Sequence, residues 1–80
     1  FAIHPNPVQQ MLFVSISVPD VMTVQLRLYD AKGAIVKQLQ TNLLKGNNEL
    51  QLNMTGLTKG VYVLDANWGN NNKTSKVLKE

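Results

Sequence analysis

The sequence predicts an all-β domain: an immunoglobulin-like antiparallel β-sandwich of six to seven short strands occupying residues 1–80. Three observations predict it. Apolar residues alternate with polar ones at a period of two in successive runs, turn-forming Gly, Pro, Asn and Asp return about every ten residues, and no segment keeps a helical period beyond about two turns. Strands patterned this way present one apolar face each, so two sheets must cover one another. With 80 residues there is room for one such unit.

Ala2-Ile3 precedes Pro5-Asn6-Pro7 and reads as a short edge strand, since proline cannot donate to a central ladder. Pro5 and Pro7 then fix the backbone as the chain comes into the first long strand. Leu12, Val14, Ile16 and Val18 alternate with Phe13, Ser15 and Ser17, which is the pattern of a half-buried strand. After Pro19-Asp20 the period resumes in Met22, Val24, Leu26 and Leu28, with Thr23, Gln25, Arg27 and Tyr29 on the opposite face. Asp30-Ala31-Lys32-Gly33 supplies a tight turn, with the aspartate bonding turn amides and Gly33 free to take positive φ, and Ile35–Leu39 returns as a hairpin partner.

Residues 42–48, with Lys45-Gly46-Asn47-Asn48, read as a second turn, after which Leu50 and Leu52 mark a fourth long strand. Gly56 and Gly60 bracket a loop before Val61–Trp68, a run rich in branched and aromatic residues. Leu57, five residues before Tyr62 across that corner, resembles the tyrosine corner of immunoglobulin-like folds, in which the phenol bonds backbone just upstream. Gly69-Asn70-Asn71-Asn72 closes a hairpin into Thr74–Lys79.

Composition narrows the function. Hydrophobic residues make up 44% and charged residues 16% of the chain, which suits a folded domain and not a disordered one. No cysteine is present, which removes disulfides, thiolate metal sites and cysteine nucleophiles. The longest apolar runs, Met11–Val14 and Val61–Leu64, are far shorter than the roughly 18 residues of a membrane-spanning helix. The chain opens on Phe1 with no basic-then-apolar leader, and we read it as a piece of a larger secreted protein. The net charge of +3 comes from lysines scattered at 32, 37, 45 and 59 and gathered only at 73, 76 and 79, with one arginine, Arg27. No aromatic residues alternate with them, so nucleic acid is not the expected partner.

Catalytic and cofactor chemistry find no constellation. His4 is the only histidine, and no serine and carboxylate are placed to complete a relay with it; Ser15 and Ser17 lie within a strand. The carboxylates Asp20, Asp30, Glu49, Asp65 and Glu80 are isolated in sequence, and no glycine pattern forms a phosphate cradle. The expectation is a domain without catalytic, metal or cofactor-binding residues. The triplets Asn53-Met54-Thr55 and Asn72-Lys73-Thr74 match the glycosylation sequon, a frequent coincidence in an asparagine-rich chain. Trp68 beside the asparagine-rich turn suits either a sugar-stacking platform or a plug closing the end of the sandwich, and the plug is the commoner use.

Taken in order, the motifs resemble the type A C-terminal sorting domain of proteins exported by the type IX (Por) secretion system. Pro5-Asn6-Pro7-Val8 followed by Leu12 and Val14 is similar to the opening of that family, and Leu26–Val36 to its strand, D-x-x-G turn and strand. Leu57-Thr58-Lys59-Gly60-Val61-Tyr62 is similar to its L-x-x-G-x-Y block, and Lys73 with Lys76-Val77-Leu78-Lys79 to its basic, apolar ending. Pro5, Asn6, Pro7, Asp30, Gly33, Leu57, Gly60 and Tyr62 are the matching motif residues, expected to serve the fold. The resemblance implies a domain that addresses a parent protein lying upstream. That parent would reach the periplasm of a Gram-negative bacterium and cross the outer membrane by way of a translocon and a shuttle protein. A sortase would then remove the domain and anchor the cargo to surface lipopolysaccharide.

Within that reading, Thr74–Lys79 is expected at a sheet edge with unpaired backbone groups, open to strand addition or to pairing with a second copy. Lys76 and Lys79 would steer the partner, Val77 and Leu78 would fill its pockets, and Glu80 completes the segment. A plainer use of these lysines is to guard the edge against aggregation. The competing function is a carbohydrate-binding or adhesive sandwich module centred on Trp68 and residues 70–72.

Overall fold

The computed structural model describes residues 1–80 and contains seven strands and no helix. They are β1 (Ala2–His4), β2 (Met11–Val18), β3 (Met22–Tyr29), β4 (Ile35–Leu43), β5 (Gly46–Asn53), β6 (Gly60–Trp68) and β7 (Asn71–Lys79). One sheet has the order β1-β2-β5 and the other β4-β3-β6-β7, with every neighbouring pair antiparallel. Consecutive strands pair at β1-β2, β3-β4 and β6-β7, whereas β2 and β3, β4 and β5, and β5 and β6 lie in opposite sheets. The chain thus crosses three times between layers, and each crossing carries apolar side chains into the same core.

That core follows from the period of two. Leu12, Val14, Ile16 and Val18 from the first sheet meet Val24, Leu26, Leu28, Leu64 and Ala66 from the second, with Val8, Met54, Tyr62, Trp68 and Val77 filling the ends and margins. No buried side-chain nitrogen or oxygen lacks a hydrogen-bond partner, so the desolvation cost of a stranded polar group is avoided throughout. The all-β sandwich predicted from the patterning is the fold observed.

The structure moves several boundaries. β4 runs on to Leu43 and β5 begins at Gly46, so most of the segment read as a turn is strand. The bend shrinks to Leu44-Lys45 because the Asn48 carboxamide grips it, accepting from the Leu44 amide at 3.0 Å and donating to the carbonyls of Leu44 and Gly46 at 2.8 and 3.1 Å. At the far end β7 starts at Asn71, leaving Gly69-Asn70 as a two-residue hairpin turn in which Gly69 has φ +56°. Between β1 and β2 the chain bends through Pro5, Asn6 and Pro7, and both peptide bonds preceding these prolines are cis.

Candidate functional site

The motif residues occupy two corners and one edge. At the first corner the Asp30 carboxylate accepts from the Lys32 and Ala34 amides at 2.9 and 3.0 Å, while the Asp30 carbonyl accepts from the Gly33 amide at 3.0 Å. Gly33 sits at φ +87°, where a side chain would be strained. At the second corner the Tyr62 hydroxyl donates to the Thr58 carbonyl at 2.6 Å and lies 3.2 Å from the Thr58 hydroxyl. Leu57 packs against the core there and Gly60 opens β6 at φ +149°. Both corners adjoin the cleft formed by Asp30, Lys32, Thr58, Lys59 and Val61.

The edge joins the two ends of the chain. β7 pairs only with β6, which places it at the margin of the four-stranded sheet. Its outer side is not bare over the last residues. The Asn6 carboxamide donates to the Lys76 carbonyl at 3.1 Å and accepts from the Leu78 amide at 3.0 Å. Val8 continues the pattern: its amide donates to the Leu78 carbonyl at 2.8 Å and its carbonyl accepts from the Glu80 amide at 2.9 Å. Val8 and Lys79 are in parallel register, and the Val8 side chain is fully buried. The edge expected to be unpaired over Thr74–Lys79 is therefore covered from the Lys76 carbonyl to the Glu80 amide by a strap of Asn6-Pro7-Val8. The Lys76 amide and the Thr74 carbonyl lie beyond the reach of that strap.

Alternation along β7 separates the five tail residues into two sets. Val77 is wholly buried and Lys79 is 8% exposed with its Nζ on the Glu80 carbonyl at 2.8 Å, so both face inward. Lys76, Leu78 and Glu80 are exposed, Leu78 to 41%. Cross-strand register puts Leu78 opposite Val61 and Lys76 opposite Val63, both of them exposed valines, and Val63 is followed across the sheet by Tyr29 and Ile35. The outer face of the sheet thus carries an apolar row ending at a lysine, which is a surface that can dock a partner with complementary charge.

The other residues singled out from the sequence are placed elsewhere. Trp68 points into the sandwich with 7% of its surface exposed and stacks on Phe1 at 6.1 Å between ring centroids. It plugs the end of the core and leaves no ring face free for a sugar. The neighbouring Asn72 is engaged by Asp65, at 2.9 Å, and by Asn67. His4 stacks on Phe13 and lies 3.1 Å from Glu49, which ties β1 across β2 to β5. No group of three or more His, Asp or Glu side chains is gathered as a metal site would require. No helix is long and apolar enough to cross a membrane.

What sequence reasoning missed is the strap. Its only signal was the Asn6-Pro7-Val8 triplet itself, with an amide that can imitate a peptide group and a β-branched residue two positions on.

Comparison with curated proteins and with solved structures returned no match. The family described as "Secretion system C-terminal sorting domain" matches residues 2–80, covering both corners, the strap and the last strand. The chain therefore belongs to the C-terminal sorting domains of the type IX secretion system.

Proposed function

We propose that this domain is a non-catalytic address carried behind a parent protein, which it directs from the periplasm across the outer membrane through the type IX translocon. A shuttle protein then receives it, and a sortase removes the domain as the cargo is joined to surface lipopolysaccharide. The observation that carries this reading is the family match over residues 2–80, which spans the whole sandwich and not one motif. A sorting domain of this type implies a cargo destined for secretion or the cell surface.

Recognition is assigned to the tail, residues Lys76, Val77, Leu78, Lys79 and Glu80, with the work divided by parity. Lys76, Leu78 and Glu80 present side chains to a partner, supported by Val61 and Val63, while Val77 and Lys79 hold the strand to the core. This division decides how the reading is tested. Deleting residues 76–80 would remove a core residue and every group the strap binds, so lost export would report unfolding. Exchanging Lys76→Glu and Leu78→Ser alters only the outward face. Surface changes of this kind shift stability by about 0.5 kcal/mol or less. The reading expects a melting temperature close to that of the parent and a passenger retained in the periplasm. Undiminished export of the doubly substituted chain would remove the tail from the recognition surface.

A further inference from the structure

The strap does more than finish a sheet margin. Along the outer edge of β7 the successive stations are the Lys76 carbonyl, the Leu78 amide, the Leu78 carbonyl and the Glu80 amide. In a parallel ladder one residue bonds the carbonyl before and the amide after the residue it faces. Val8 does this around Lys79 with its main chain. Around Val77 the same two bonds are made by the Asn6 side chain, whose carboxamide stands in for a peptide unit. The resident segment is thus half strand and half imitation, and neither Asn6 nor Val8 bonds the Lys76 amide or the Thr74 carbonyl, which by the alternation of the ladder lie on the same outer side.

We propose that the outer edge of β7 from Thr74 to Glu80 is an acceptor for an extended, parallel segment of the secretion machinery, and that Asn6-Pro7-Val8 is its resident cover. The inference rests on the sorting reading for the identity of the partner, while the acceptor itself stands on geometry. An ordinary strand would make the same four bonds with its main chain and gain the Thr74 carbonyl and Lys76 amide besides. Its inward residue would take the pocket now filled by Val8, which suits a β-branched apolar side chain, and its outward residues would flank Lys76, which suits an acid. A second copy of the domain fits less well. Two β7 edges related by a twofold axis pair antiparallel, whereas the stations in use here accept a parallel segment.

The test uses the full chain with hydrogen exchange read residue by residue. The amides of Val77 and Lys79 turn toward β6, and those of Leu78 and Glu80 toward the strap, so the two pairs report different openings. In Asn6→Ala the Leu78 and Glu80 amides should exchange about tenfold faster than in the parent, with Val77 and Lys79 unchanged. The probe is a synthetic heptapeptide with the sequence of residues 3–9. Added to Asn6→Ala it should restore slow exchange at Leu78 and Glu80, whereas a scrambled peptide should not. Its apparent affinity for the parent chain should be about tenfold weaker, since the cover competes. If all four amides accelerate together in Asn6→Ala, the strap is part of one cooperative core and the proposal is overturned. Failure of the heptapeptide to protect the two amides, or dimerisation of the variant through β7 in its place, overturns it as well. No export machinery enters this experiment, so its failure leaves the sorting reading standing, and failed export of a passenger leaves the acceptor standing.

Discussion

Tyr62 shows how one side chain can fix a corner. Its ring is buried at the start of β6 and its hydroxyl reaches back to the Thr58 carbonyl at 2.6 Å, closing the loop that carries the chain between sheets. Tyr62→Phe keeps the ring and strands that carbonyl, so it should cost about 1–2 kcal/mol in denaturant unfolding. Gly60, two residues earlier, acts through backbone alone: no atom lies within 4 Å of the position a Cβ would take, yet φ is +149°. Gly60→Val should therefore lose about 1–3 kcal/mol to conformational strain without any clash. For a domain this size each kcal/mol lowers the melting temperature by roughly 4–8 °C, and equal melting temperatures for variant and parent would refute the assignment. Trp68→Ala should cost about 3–5 kcal/mol because it empties the end of the core. A variant that unfolded at the parental denaturant concentration would mean that Trp68 is not the plug.

Among the strands, β3 was legible at both ends because its alternation is uninterrupted and its flanking turns carry Pro, Asp and Gly. β4 and β5 were not. Asn42, Gly46, Asn47 and Asn48 are residues that local propensity assigns to turns, and they become strand because β3 and β2 offer ladders for them to pair with. Asn48 then holds the bend with a side chain whose partners no local pattern reveals. In β7 Val77 is expected from the sequence to contact a partner with Leu78, and Lys79 to supply a steering charge, but the period of two turns both Val77 and Lys79 inward, and the Lys79 amine reaches the Glu80 carbonyl. The edge status of β7 was readable from its terminal position. Its cover was not, because Asn6 bonds Lys76 and Leu78 from 70 and 72 residues away. Val8→Ala should weaken that cover by about 2 kcal/mol through loss of buried apolar surface, measured as the fall in unfolding free energy. An unchanged value would show that the strap adds nothing to stability.

For the whole molecule, the sandwich brings Asn6-Pro7-Val8 and the last five residues to one edge, so the opening motif and the closing motif of the sequence become a single surface. Family membership makes that surface part of a sorting domain, and the burial pattern divides its residues between Val77 and Lys79, which face the core, and Lys76, Leu78 and Glu80, which face outward. The family resemblance of the closing motif marks the five tail residues as a group. Only the register with Val61 and Val63 shows which of them look outward. The most direct measurement is surface display of a passenger fused upstream of Phe1, in a host carrying the type IX machinery, compared between the parent domain and the Lys76→Glu, Leu78→Ser variant. The account predicts surface display with the parent, and periplasmic retention of an equally stable, folded variant. Retention of the passenger with the folded parent domain would contradict it.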